Sequence, residues 1–348
     1  MRVTMRWFGS ADQVQLRQLR QIPCVKGIVG TLEEMPVGAV WPLDRLLALK
    51  AQVESAGFTL DVIESIAVAE AIKQGLPGRA VLINAYCESI RNMGRAGIRV
   101  LCYNFMPVFD WMRSEMVFTL PDESVVTAYD HAAIQAYDLR QGLEARVAWA
   151  HGFSGDELQA AVGQYRPIDE DTLFENLAYF LRRVIPVAEE SGVFLALHPD
   201  DPPWPIFGLP RIVRDAASIQ RILDAVDSPH NGLTFCTGSL GTLAANDLPA
   251  MIRQFAPRIH FVHLRNVQIT GDYNFYEVAH PAECGTVNMI AVMQALVDVG
   301  YTGPMRPDHG RRIWDELVAR TGYGLYDRAL GAMYLHGLWQ GILSSSRL

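Results

Sequence analysis

Four apolar runs in the second half of the chain end in side chains that bind divalent metals. VFLALHPD reaches His198, GLTFCTG reaches Cys236, IHFVHLRN reaches His263 and GPMRPDHG reaches Asp308. Imidazole, thiolate and carboxylate are all donors to such an ion. Side chains alternate across an extended strand, so in FVHLRN His263 and Arg265 face one way, Val262 and Leu264 the other. Singly, each signal is weak: a strand-end His is more often a hydrogen-bonded structural residue, and a buried Cys a small hydrophobe. Four consecutive strand ends of ligand type, with no miss, favour one shared metal ion.

Neighbouring residues could complete the chemistry. Arg265 is placed either to hold a substrate carboxylate or to form a structural salt bridge at the rim. His309, next to Asp308, is either a proton donor beside the metal or a support for its ligands. Tyr323, between two glycines in TGYG, is either a mobile surface ring or a base whose phenol pKa falls near a cation. Glu64 and Asn104 end two earlier strands and face the same pocket as possible substrate contacts. His131, His151, His230 and His336 lack a partner pattern and read as surface or structural residues.

The elements that must position these groups alternate. Strands are expected at Met5–Phe8, in CVKGIVG, in TLDVIES and in IRVLCYNF, with helices between them. A capping box at Ser10 and Gln13 opens the first helix, Pro42 opens the second, and a later one covers Ala80–Ala96. The rhythm resumes with a helix through DEDTLFENLAYFLRRVIPVAEES, ended by Gly192, and four further strands. Eight strands alternating with helices predict an α/β fold, a (β/α)8 TIM barrel occupying 1–348 as one domain, with active-site residues at its C-terminal strand ends. Residues 106–168 break the pattern and are expected to be a helical and loop insertion at the barrel mouth, part lid and part oligomer contact. Its Trp111, Phe118, Tyr129 and Tyr137 read as packing residues, and their number suggests a homo-oligomer. Residues 267–286 read as a second long loop. The phosphate loop of a doubly wound sheet is absent from FGSADQ.

Composition fits a globular protein with a full core: 348 residues, 50% hydrophobic and 20% charged. A net charge of −8 without a basic block disfavours nucleic acid. No run reaches membrane-span or signal-peptide length. Five cysteines without paired spacing suggest reduced thiols and a cytoplasmic setting.

MRWFG, ALHPDDPP, LTFCTGSLG, IHFVHLRNV and MRPDHGR together resemble the D-mannonate dehydratase family, over essentially the whole chain. The resemblance implies a xylose-isomerase-like barrel that removes water from D-mannonate to give 2-dehydro-3-deoxy-D-gluconate in glucuronate catabolism, with Mn²⁺ or Fe²⁺. It implies His198, Cys236, His263 and Asp308 as metal ligands, and His309 and Tyr323 as the proton carriers. On softness alone the thiolate would favour Zn²⁺ or Fe²⁺, so Mn²⁺ rests on the resemblance. Dehydration needs a base at carbon 2 and an acid for the hydroxyl leaving carbon 3; the expectation is Tyr323 as base and His309 as acid, with the reverse open. The competing readings are a sugar isomerase or epimerase on the same barrel and a non-catalytic metal- or sugar-binding barrel.

Overall fold

The computed structural model describes residues 1–141, 154–318 and 320–345. His151 and the middle of the insertion therefore lie outside the described residues. Among the described residues twelve strands occur in chain order: β1 Arg2–Arg6, β2 Val25–Gly30, β3 Thr59–Glu64, β4 Val100–Tyr103, β5 Glu115–Thr119, β6 Val125–Tyr129, β7 Phe194–Leu197, β8 Asn231–Cys236, β9 Ile259–Leu264, β10 Asn266–Gly271, β11 Asn274–Val278 and β12 Pro304–Pro307. Eight close a barrel in the order β1-β12-β9-β8-β7-β4-β3-β2, with every neighbouring pair parallel. The expected α/β barrel is what the sequence builds.

Strand periodicity sorts the side chains into two cores. Val29, Val62, Val100, Cys102, Ala196 and Phe261 fill the barrel interior, while Val262 and Leu264 join the larger layer between strands and helices. Phe261, His263 and Arg265 thus share the inward face, with the apolar residue below and the polar ones at the top. The helices are closed by local chemistry. Helix Glu170–Ser191 begins with Asp169 accepting from Thr172 N–H and ends at Gly192, whose φ of +65° favours glycine. Helix Leu43–Ser55 follows Pro42.

Four expectations at the edges need correction. The first strand is Arg2–Arg6 rather than Met5–Phe8, and the first helix is a single turn, Leu16–Leu19, whose capping box is Gln15 with Gln18. The insertion is not simply helix and loop: β5 and β6 form a hairpin, followed by the short helix His131–Gln135. The supposed loop at 267–286 holds the hairpin β10–β11. These hairpins join as one antiparallel sheet, β10-β11-β6-β5, above the barrel. Tyr129 stacks on Phe275 with centroids 5.6 Å apart, and Phe118 packs on Tyr276 at 5.4 Å, so these insertion aromatics pack within one chain.

His260 provides a pH test of this packing. Burial beside Phe194 pushes its imidazole down to about 4, against a hydrogen bond to the Pro229 carbonyl. The unfolded chain therefore binds the extra proton first, and this contribution to stability, present above about 6.5, is lost as pH falls towards about 4. Urea denaturation should show a His260→Asn variant losing up to about 3 kcal/mol less stability than the parent across that window; parallel curves would refute the assignment.

Candidate active site

Barrel register brings the four ligand-type side chains together. Cys236 on β8 pairs directly with His263 on β9, and β12 continues the ring with Arg306 opposite His263, two residues before Asp308. Donor atoms of His198, Cys236 and His263 lie within 4.8 Å of one another. Asp308 adds Oδ1 at 3.6 Å from His263 Nδ1 and Oδ2 at 3.8 Å from Cys236 Sγ. His198 Nδ1 donates to the Pro199 carbonyl at 2.6 Å, which leaves Nε2 for the cluster, 3.2 Å from His263 Nδ1. Burial opposes ionisation of Cys236, but the His198 and Arg265 charges outweigh it and hold the thiol well below its ordinary range. Burial likewise disfavours charge on His198, yet the Cys236 thiolate raises its imidazole to about 9. A thiolate facing an imidazolium within reach of a carboxylate is a donor set in which a proton occupies the place a cation would take.

A second cluster, Glu64, Cys102 and His263, shares the His263 ring. Its Nε2 has no hydrogen-bond partner and lies 3.5 Å from Glu64 Oε2. Burial and the Glu64 charge push the Cys102 thiol far above its ordinary value, and Thr234 donates to its sulfur at 3.1 Å. Cys102 is thus a protonated thiol and a poor donor, so the chemistry fits a metal on the Cys236 side.

The cavity above these residues has a volume of ≈ 470 Å³. His198, His263, Asp308, His309, Tyr323, Glu64 and Asn104 all line it. Tyr323 is buried rather than a surface ring, set edge-on to Phe8 at 4.9 Å and to His309 at 5.1 Å. Burial pushes its phenol up to about 12, opposed by Arg306, which hydrogen-bonds it. Glu64 accepts from Arg306 at 3.0 Å, and Asn104 donates to Asp110.

Arg265 is placed otherwise. It lies 1% exposed beneath the cavity, with Asp201 at 2.6 Å and Glu277 at 2.7 Å. Its guanidinium passes so close to Gly238 that a Cβ there would stand 1.9 Å from Nε. Of the two readings, the structural pairing describes its position. Arg113, fully buried, completes the network by bonding Asp201 at 2.7 Å and Glu277 at 2.9 Å. Glu277 also lies 2.9 Å from His309 Nδ1. Arg265 Nη1 is equally near that nitrogen, but a carboxylate is the stronger acceptor for its proton.

Glu277, Asp201 and Arg113 were not singled out in the sequence, because they lie on the mouth sheet and on loops whose structure was not anticipated. Asp201 entered only as part of the motif ALHPDDPP, and Arg113 only as part of the insertion at 106–168. Trp111 was read as packing; it lines the cavity, 5.1 Å from the His309 ring. Replacing Arg113 with Met should cost about 3–5 kcal/mol in urea denaturation, because two buried carboxylates lose a partner. A cost below about 1 kcal/mol would mean that Arg265 alone neutralises them.

The D-mannonate dehydratase (UxuA) family model matches residues 1–347. A mannonate dehydratase of Thermotoga neapolitana is 52% identical over 353 residues, covering 98% of each chain. Mannonate dehydratase 2 of Halalkalibacterium halodurans is 49% identical, covering 99% of this chain and 100% of its own. The crystal structure of mannonate dehydratase from Streptococcus suis serotype 2 superposes with a TM-score of 0.93 at 45% identity, covering 99% of this chain and 96% of that one. The chain belongs to the D-mannonate dehydratase family, and its activity is that of a hydro-lyase.

Proposed function

We propose that the cavity dehydrates D-mannonate to 2-dehydro-3-deoxy-D-gluconate, with His198, Cys236, His263 and Asp308 holding Mn²⁺ or Fe²⁺. The observation that carries this is the convergence of these four side chains at adjacent strand ends, beside His309 and Tyr323 on one cavity wall. When bound, the cation supplies Lewis-acid stabilisation of the negative charge that builds up beside carbon 2 as its proton leaves.

The chain's own groups carry the protons. Glu277 holds His309 by Nδ1–H and leaves Nε2 as the ring nitrogen free to accept one. Tyr323, pushed up by burial, is a phenol rather than a phenolate under the protein's own charges. This favours the reverse of the expectation from sequence. His309 Nε2 takes the carbon 2 proton, and the Tyr323 hydroxyl protonates the hydroxyl leaving carbon 3. Water departs, the electron pair of the broken C–H bond forms the carbon 2–carbon 3 double bond, and the resulting enol tautomerises to the 2-keto-3-deoxy acid. Trp111, packed against the His309 ring, limits its rotation and its exposure to water.

Two experiments check this. Protein stripped with a chelator and given Mn²⁺ and D-mannonate should form the 2-keto-3-deoxy acid. His263→Ala should lose both bound metal and product. A well-folded parent that forms no product with Mn²⁺, Fe²⁺ or Zn²⁺ would exclude this substrate.

The proton roles separate in deuterated water. Tyr323→Phe should still exchange the carbon 2 hydrogen while losing about 10²–10⁴-fold in kcat. His309→Asn should lose exchange as well, and Glu277→Gln should slow it in the parent but not in the His309→Asn background. Exchange that survives in His309→Asn and fails in Tyr323→Phe would restore the opposite assignment.

A further inference from the structure

Among the described residues, one arginine of the cavity wall lacks an ion-pair partner. Arg6, the last residue of β1, is 5% exposed and lines the cavity. Its fellow buried arginines are spent. Arg306 is paired with Glu64 at 3.0 Å and Asp308 at 2.8 Å, and Arg113 and Arg265 share Asp201 and Glu277. Arg328 gives three hydrogen bonds to backbone carbonyls and lies outside the cavity lining. Among the described residues, no carboxylate comes within 4.0 Å of the Arg6 guanidinium. Its hydrogen bond runs from Nη1 to the Gly30 carbonyl at 3.1 Å, and its Cζ stands 4.6 Å from the Phe8 ring centroid. A guanidinium has five N–H donors, so most of its capacity faces the cavity.

That arrangement is costly without a ligand. A buried charge lacking a counter-charge pays its desolvation uncompensated. The wall's carboxylates offset it only in part: Glu64, Asp201 and Asp308 are each paired with another arginine, and Glu64 acts on Arg6 from beyond ion-pair distance. Arg6 is nonetheless within electrostatic reach of Glu64 and Tyr323, which places it at the reacting end of the cavity. A planar guanidinium fork matches a carboxylate in shape as well as charge.

We propose that Arg6 is the anion-recognition residue of the cavity, giving charge-assisted hydrogen bonds to the carboxylate of the sugar acid and so selecting acids over neutral polyols of the same length. This takes the role for which Arg265 was the sequence candidate. It rests on the reading of the cavity as a sugar-acid site. Arg6 is a binding residue and transfers no proton.

The test uses metal-loaded parent, Arg6→Gln and Arg6→Lys. With D-mannonate, Arg6→Gln should raise KM about thirtyfold or more while kcat falls by a smaller factor and metal content stays at the parent level. Arg6→Lys, which keeps the charge but not the fork, should recover part of that loss. Competition by D-gluconate should weaken in step with KM, whereas binding of neutral D-mannitol should be the same in all three proteins. A KM for Arg6→Gln within threefold of the parent, or a parallel loss for D-mannitol, would overturn the proposal; the second result would make Arg6 a structural residue. Should Arg6→Gln fail to fold, Arg6→Lys carries the same comparison. An inactive parent would sink the dehydration reading alone, and calorimetry of D-gluconate against D-mannitol would still decide the role of Arg6.

Discussion

The pairing of Arg265 and Arg113 with Asp201 and Glu277 is the interaction on which the site depends. Two guanidinium groups and two carboxylates lie almost wholly out of water, each bonded to a member of the opposite sign. Buried pairs gain little over a well-packed apolar core, but losing one partner is expensive. Their value here is positional. Arg265 comes from the barrel wall, Asp201 from the loop after β7, Arg113 from the insertion and Glu277 from β11. One network therefore fixes the mouth sheet to the strand ends that carry Cys236, His263 and Asp308. Arg265 Nε also lies 3.5 Å from Asp308 Oδ2, so the network borders the ligand set directly.

This gives the mouth sheet a role beyond covering the barrel. Glu277 joins that sheet to the His309 ring at Nδ1, and so decides which imidazole nitrogen remains available. The sheet is tied a second time beyond His309, where Val125 and Arg312 exchange backbone hydrogen bonds of 3.0 and 2.8 Å. The loop bearing His309 is thus held at its side chain and along its backbone. Preorganisation of this kind lets a general base act without first paying to order itself.

How much of this was legible follows from the range of each signal. The barrel was readable because strand and helix alternation is local and repeated, and parallel strands buried on both faces give apolar runs that end abruptly. His198, Cys236, His263 and Asp308 were readable for the same reason, each lying at or just past the end of such a run. The hairpins β5–β6 and β10–β11 were missed. Their strands alternate polar with apolar residues over only five or six positions, and their pairing spans more than 140 residues of sequence. Glu277 and Arg113 were lost with them. Arg265 was left open between substrate contact and structural pair because inward direction alone does not distinguish a side chain aimed at ligand from one that meets a carboxylate below it.

Arg6 illustrates the same limit from the other side. Nothing in MRVTMRWFG separates it from Arg2, which lies on the same face of the strand and meets Asp61 near the opposite end of the barrel. The difference is depth. A guanidinium at the C-terminal end of β1 reaches a cavity where the neighbouring Arg306 is already matched by Glu64 and Asp308, and its own charge has no ion-pair partner among the described residues. Charge balance across a pocket is set by eight strands and the loops above them, so it emerges only when all are in place. The candidate metal ligands could be found by asking what each strand end can bind; the proposed anion site appears only by asking which charge lacks a partner.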